Sequence, residues 1–116
     1  MVRFAHKKRN IYLANLIDTF KPKTLLDYGA GDGELYKNLD LKAFSEVILF
    51  EPEIQMLKEL KINLKKISNF HRFIPTNNIK KYPSPNFDLI LCLEVLEHLP
   101  MPERIKFYKF CASRLK

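Results

Sequence analysis

Glycine is scarce in this chain, with three in 116 residues, where an average usage of ~7% would give about eight. All three stand within five positions, at Gly29, Gly31 and Gly33. Turns elsewhere must be made without glycine, so the cluster marks a backbone with a special need of it. Cysteine is rare as well. Cys92 and Cys111 lie nineteen apart in apolar surroundings, with no CxxC spacing. That argues against a zinc site or a disulfide scaffold and fits buried free thiols in a reducing, cytoplasmic compartment. Long apolar runs are missing too. The longest, residues 89–93, falls far below the ~20 that a membrane span needs, so no membrane partner is expected. The N-terminal MVRFAHKKRN is basic with no apolar stretch behind it, unlike a signal peptide.

What is present fits one globular domain over residues 1–116, with a single core. The formal charge of +7 invites a polyanion such as RNA as partner. Lysine, however, outnumbers arginine fifteen to five, whereas planar bidentate phosphate recognition favours arginine. Solvated helix faces are the plainer account of many of these lysines.

Residues 8–20 set Leu13, Leu16, Ile17 and Phe20 on one stripe, an amphipathic helix closed by Lys21-Pro22. Residues 24–28 read as a buried strand running into the glycines, residues 34–39 as a short helix, and residues 47–50 as a second buried strand ending at Glu51-Pro52. A second long helix follows, with Ile54, Leu57, Leu60, Leu64 and Ile67 inward, Glu53 in its first turn and Lys65-Lys66 in its last. Residues 71–74 suit a third strand, residues 75–86 with three prolines and three asparagines a loop, and residues 87–93 a fourth strand. A last helix begins near Pro102 with Ile105, Tyr108, Cys111 or Ala112, and Leu115 facing the core. Doubly apolar strands alternating with helices predict an α/β fold, a three-layer Rossmann-like parallel sheet. Ligands in such folds bind beyond the carboxyl ends of the strands, where strand order reverses. The unusual residues gather at those ends.

Three glycines at alternate positions in Asp27-Tyr28-Gly29-Ala30-Gly31-Asp32-Gly33 predict an open backbone wall with its N–H groups available to a ligand. A dinucleotide fingerprint is GxGxxG, and here Glu34 stands where its third glycine belongs. The pattern DxGxGxG instead resembles motif I of the class I S-adenosylmethionine-dependent methyltransferases. That resemblance implies S-adenosylmethionine as cofactor, held by Asp27, Tyr28, Gly29, Ala30, Gly31 and Gly33. It implies that Glu51, with Pro52 beside it, accepts the ribose hydroxyls, and that Asn77, with Asn78 and Ile79, stands where the family commonly places an acid for the adenine amino group.

The segment Phe87-Asp88-Leu89-Ile90-Leu91-Cys92-Leu93-Glu94-Val95-Leu96-Glu97-His98-Leu99 is similar to the FDLI strand and E-x-L-E-H-L stretch of small-molecule and RNA methyltransferases of this class. The likeness implies that Cys92 faces the glycine loop and that Glu94 and His98 act at the acceptor, the histidine as a general base. In small-RNA ribose 2′-O-methyltransferases an E-x-x-E-H segment ligates a metal with a further distant histidine. Glu94, Glu97 and His98 are the candidates here, but His6 and His71 lie upstream, so no metal is expected. The family pattern continues beyond a segment like residues 113–116, which predicts either a C-terminally incomplete domain or a partner, a second copy included, covering the edge of the fourth strand. The expected activity is methyl transfer to a small-molecule hydroxyl or an RNA ribose. The rivals are a non-catalytic cofactor-binding or scaffold module and, more remotely, a nicotinamide-dependent oxidoreductase domain.

Overall fold

The computed structural model describes residues 2–67, 72–81, 86–93 and 98–116. Its centre is a four-stranded sheet of order β3-β2-β1-β4, with β1 at Thr24–Tyr28, β2 at Glu46–Phe50, β3 at Phe73–Thr76 and β4 at Leu89–Leu91. All three pairings are parallel, as strands apolar on both faces require. The chain steps outward from β1 to β2 and β3 on one side and returns to place β4 on the other, so the order reverses at β1. The α/β Rossmann-like architecture is the expected one.

Helix α1 runs Val2–Phe20, α2 Ile54–Ile67 and α3 Met101–Arg114, with short 3₁₀ turns at Glu34–Asn38, Leu41–Ala43 and Ile79–Lys81. Helix α1 ends without glycine. Lys21 takes the left-handed conformation at φ 54° and its N–H donates to Ile17 O at 2.9 Å, the work usually done by a C-terminal glycine. Glu53 stands just ahead of α2 rather than in its first turn, and its carboxylate caps the helix by accepting from Gln55 N and Met56 N at 3.1 and 2.6 Å.

The core has two parts. The larger lies between the sheet and the α1, 34–38 and α2 layer, and includes Ala14, Ile17, Leu25, Tyr36, Leu49, Leu57, Leu60 and Leu64. The smaller lies on the opposite face, where Leu26, Ile48, Phe50 and Phe87 meet Tyr28 and Phe110 of α3.

Several expectations are corrected. On α1 the buried positions are Asn10, Ala14 and Ile17, while Leu16 and Phe20 are exposed; the helix carries apolar residues around much of its circumference, so composition did not select the inward face. On α2, Leu57, Leu60 and Leu64 are buried as expected but Ile54 is exposed. On α3, Phe107 is the buried residue and Ile105, Tyr108 and Leu115 are exposed, because the aromatic side chains at 107 and 110 find Tyr28 as a stacking partner. Strand β3 continues through Pro75, which pairs with Leu49. Proline is tolerated there because β3 is an edge strand, so the loop starts after Thr76. The expected start of that strand at His71, and residues 82–85 of the loop, lie outside the described residues. Strand β4 is shorter than expected, and Phe87 instead bridges Leu115. Both cysteines are outside any disulfide among the described residues, and both are half-buried rather than buried.

Candidate cofactor site

The register sets Asp27 beside Leu49 and Tyr28 beside Phe50, so β1 and β2 finish level and their following residues share one edge of the sheet. Gly29, Gly31 and Gly33 have φ of 88°, 61° and 80°. Left-handed backbone costs an L-residue with a Cβ roughly 1–2 kcal/mol, and three such positions in alternation account for the glycine spacing. A Cβ on Gly33 would stand 2.8 Å from Leu60 Cδ1, whereas one on Gly31 would meet none of the described residues within 4 Å. Gly33 therefore lets the loop settle on α2, and Gly31 faces open space.

The N–H groups of this wall are not available as expected. Gly29 N and Ala30 N both donate to Phe50 O, at 2.8 and 3.0 Å, and Gly33 N donates to Ala30 O at 3.3 Å. Gly31 N donates to Glu51 Oε1 at 2.8 Å. The backbone donors thus hold the loop to the end of β2, and what the loop presents outward is bare Cα surface at Gly31. Asn63 Nδ2 of α2 donates to Asp32 O at 2.9 Å and fastens the loop from its far side.

Glu51 is buried. Its Oε1 is taken by Gly31 and its Oε2 accepts from Glu53 N at 3.0 Å, yet each carboxylate oxygen retains a further lone pair. Asp27 is also buried. Its Oδ2 accepts from the Tyr36 hydroxyl at 2.7 Å, while its Oδ1 is buried with no hydrogen-bond partner among the described residues. Burial, reinforced by the Glu51 charge and opposed by the Tyr36 hydrogen bond and Arg9, lifts the Asp27 pKa from 3.8 to about 6. The same burial, with Asp27 alongside, holds the Tyr36 phenol well above its ordinary range. Tyr36, Arg9 and Asn63 were not foreseen from the sequence. Nine residues separate Tyr36 from Asp27, and no local pattern marks that pairing.

Other expected site residues fall in different places. Tyr28 turns to the opposite face, its ring 4.7 Å from those of Phe50 and Phe107, so only its backbone adjoins the loop. Cys92 directly follows β4, and the Tyr28 phenol is raised by its burial first and then by Cys92 and Cys111. Asn78 caps the 79–81 turn, its Oδ1 accepting from Lys80 N at 3.1 Å and its N–H donating to Thr76 Oγ1 at 3.0 Å. Asn77 is exposed beside it, Ile79 packs on the smaller core, and Pro52 is exposed at the entry to α2. His98 is exposed, and Glu94 and Glu97 lie outside the described residues. Among the described residues no group of three or more His, Cys, Asp or Glu is placed to hold a metal ion.

A family model described as a methyltransferase domain matches residues 3–112. The chain belongs to that family. The methyltransferase domain is 29% identical over 125 residues to the small RNA 2′-O-methyltransferase of Mus musculus, covering 88% of this chain and 29% of that protein. The Rattus norvegicus protein of the same name matches to the same extent. The chain thus spans less than a third of the length of these curated relatives. Among solved structures, the methyltransferase domain of bacterial CtHen1-C superposes with a TM-score of 0.76 at 22% identity, over 95% of this chain and 62% of that one. Magnesium protoporphyrin IX methyltransferase from Synechocystis with bound SAH gives 0.78 at 21% identity, over 98% of this chain and 53% of that one. These likenesses establish the fold. Membership in this family sets aside the nicotinamide-dependent reading.

Proposed function

We propose that this domain binds S-adenosylmethionine and serves methyl transfer to a ribose 2′-hydroxyl of RNA. The observation that carries the cofactor assignment is the loop at residues 29–33: three left-handed glycines, open space before Gly31, and two buried carboxylates at the ends of adjacent strands. The fit is chemical as well as steric. Open space at Gly31 admits a ligand against the backbone, Glu51 keeps lone pairs for ribose hydroxyls, and the partnerless Asp27 Oδ1 favours a cationic ligand nearby. Asn77 and Ile79 would line the adenine end. The bound cofactor supplies a methyl group already activated by its sulfonium.

The protein's task is then alignment. Hydrogen bonds from the loop to Phe50 O and Glu51 fix the donor side without reorganisation, which is where most of the rate advantage of an in-line transfer lies. Glu94 and His98 are proposed to act at the acceptor, with His98 taking the hydroxyl proton. The RNA acceptor is favoured over a small-molecule hydroxyl by the mouse relative's name and by the +7 charge. Isothermal calorimetry with S-adenosylmethionine and S-adenosylhomocysteine tests the cofactor, and binding of both is expected. Transfer of labelled methyl to a short RNA, absent with an RNA whose 3′-terminal ribose lacks the 2′-hydroxyl, tests the acceptor. Cofactor binding without transfer to any RNA would return the chain to the non-catalytic module.

A further inference from the structure

Several lysines outside α2, Lys21, Lys42 and Lys109 among them, have no ion-pair partner among the described residues; α2 is set apart by carrying four. Lys37, Lys106 and Lys116 are paired with Glu34, Glu103 and Asp88 at 2.9, 3.9 and 3.3 Å. Helix α2 carries Lys58, Lys61, Lys65 and Lys66, all exposed, and none of them has an ion-pair partner among the described residues. Against them the helix holds one acid, Glu59. Lys58, Lys61 and Lys65 follow one another at i, i+3 and i+7 along one exposed flank of the helix, each one residue on from a buried Leu57, Leu60 or Leu64. They therefore form a straight row with axial steps of about 4.5 and 6 Å.

We infer that the outward face of α2 is an RNA-docking surface on which Lys58, Lys61 and Lys65 engage successive backbone phosphates. The inference rests on the RNA reading of the acceptor given above. An unneutralised row of like charge is weakly self-repelling, and only Lys65 of the three stands in the last turn where the helix dipole favours it, whereas the whole row matches a polyanion by releasing condensed counterions. Its place also suits the task. Helix α2 starts directly after Glu51, whose carboxylate holds the glycine loop, and Asn63 ties the helix to Asp32 of the same loop. A strand lying along the row is thereby held in a fixed relation to the cofactor cleft. Lysine suffices because phosphate contacts of this kind position the nucleic acid without reading sequence.

The test is fluorescence anisotropy with a labelled single-stranded RNA of about 20 nucleotides over a series of salt concentrations. The triple variant K58Q/K61Q/K65Q is expected to bind about tenfold or more weakly at low salt, with the slope of log affinity against log salt reduced by about 2, since each single-strand phosphate contact contributes about 0.7. A control triple on the other side of the molecule, K106Q/K109Q/K116Q, is expected to keep the wild-type slope. An unchanged slope in the α2 variant overturns the inference, as does an equal loss in the control. Loss of binding to phosphatidylserine vesicles with RNA binding intact also overturns it, by assigning the row to a membrane. Calorimetry with S-adenosylhomocysteine on the same variants separates the two readings. RNA binding that depends on α2 in a protein that takes no cofactor removes only the methyltransfer proposal. Methylation indifferent to α2 removes only the docking surface.

Discussion

The two faces of the sheet are built differently. On the α1 and α2 side, Leu25, Leu49, Leu60 and Tyr36 are essentially sealed from solvent, and the glycine loop rests on this layer through Gly33 against Leu60 and Asp27 against Tyr36. On the opposite face Leu26, Ile48 and Phe87 are sealed as well, but the contacts with α3 itself are aromatic. Tyr28, Phe107 and Phe110 stack at 4.7 to 6.3 Å, and Tyr28 and Phe110 stay half-exposed. The difference shows where the site gets its rigidity. A binding loop held by backbone hydrogen bonds needs a floor that does not yield, and the close-packed aliphatic layer provides it.

Truncation is the bluntest way to probe that contrast. Leu60→Ala is expected to lose about 3–5 kcal/mol of stability, because a sealed side chain leaves a cavity. Phe110→Ala, half-exposed already, should lose only about 1–2 kcal/mol. Urea unfolding followed by circular dichroism measures both, and equal losses would mean that the two faces are packed alike.

The buried carboxylate beneath the loop gives the next largest effect. The Asp27 pKa is 3.8 in the ordinary state and about 6 in the fold, so the folded chain binds the extra proton between those values. This group's contribution is most favourable below pH ~4, declines as pH rises, and is fully lost above pH ~6, a difference of about 3 kcal/mol. Asp27→Asn removes that titration while keeping an acceptor for Tyr36. The stability difference between variant and wild type should therefore move in the variant's favour by about this amount from pH 4 to pH 7. A pH-independent difference would show that Asp27 is solvated.

Within the loop, Gly33→Ala should cost about 2 kcal/mol, since it adds overlap with Leu60 to left-handed strain. Gly31→Ala should cost about 1 kcal/mol, from the backbone alone. Cofactor affinity should reverse that order, with the larger loss at Gly31, which faces open space. Thermal melts and calorimetry together decide this, and parallel losses in both assays would dissolve the division of labour between the two glycines. The smallest effect is expected at the rim of the larger core, where Lys37 pairs with Glu34 with both side chains about half exposed. Lys37→Ala should change stability by less than about 0.5 kcal/mol, and less still in high salt.

Much of this was legible from the chain. The order of strands and helices, the limits of β1 and a short helical segment beginning at residue 34 followed from apolar runs punctuated by glycine and proline. The inward face of α3 did not follow, and that of α1 followed only at Leu13 and Ile17. Leu16, Phe20, Ile105 and Tyr108 are as apolar as the residues that are buried, and what chose Ala14, Ile17 and Phe107 was the shape of the sheet surface they meet. The glycine wall was read correctly as positive-φ backbone and incorrectly as a row of free donors, because the acceptors, Phe50 O and the Glu51 carboxylate, come from a strand some twenty residues on.

By itself, then, the sequence determined the alternation of elements and the place of the left-handed glycines, since both depend on local sterics and on the period of apolar residues. The tertiary structure alone decided which donors are already satisfied, which carboxylate is buried without a full set of partners, and which lysines have no counter-charge. Those properties depend on distances between residues far apart in the chain, and no local pattern encodes them.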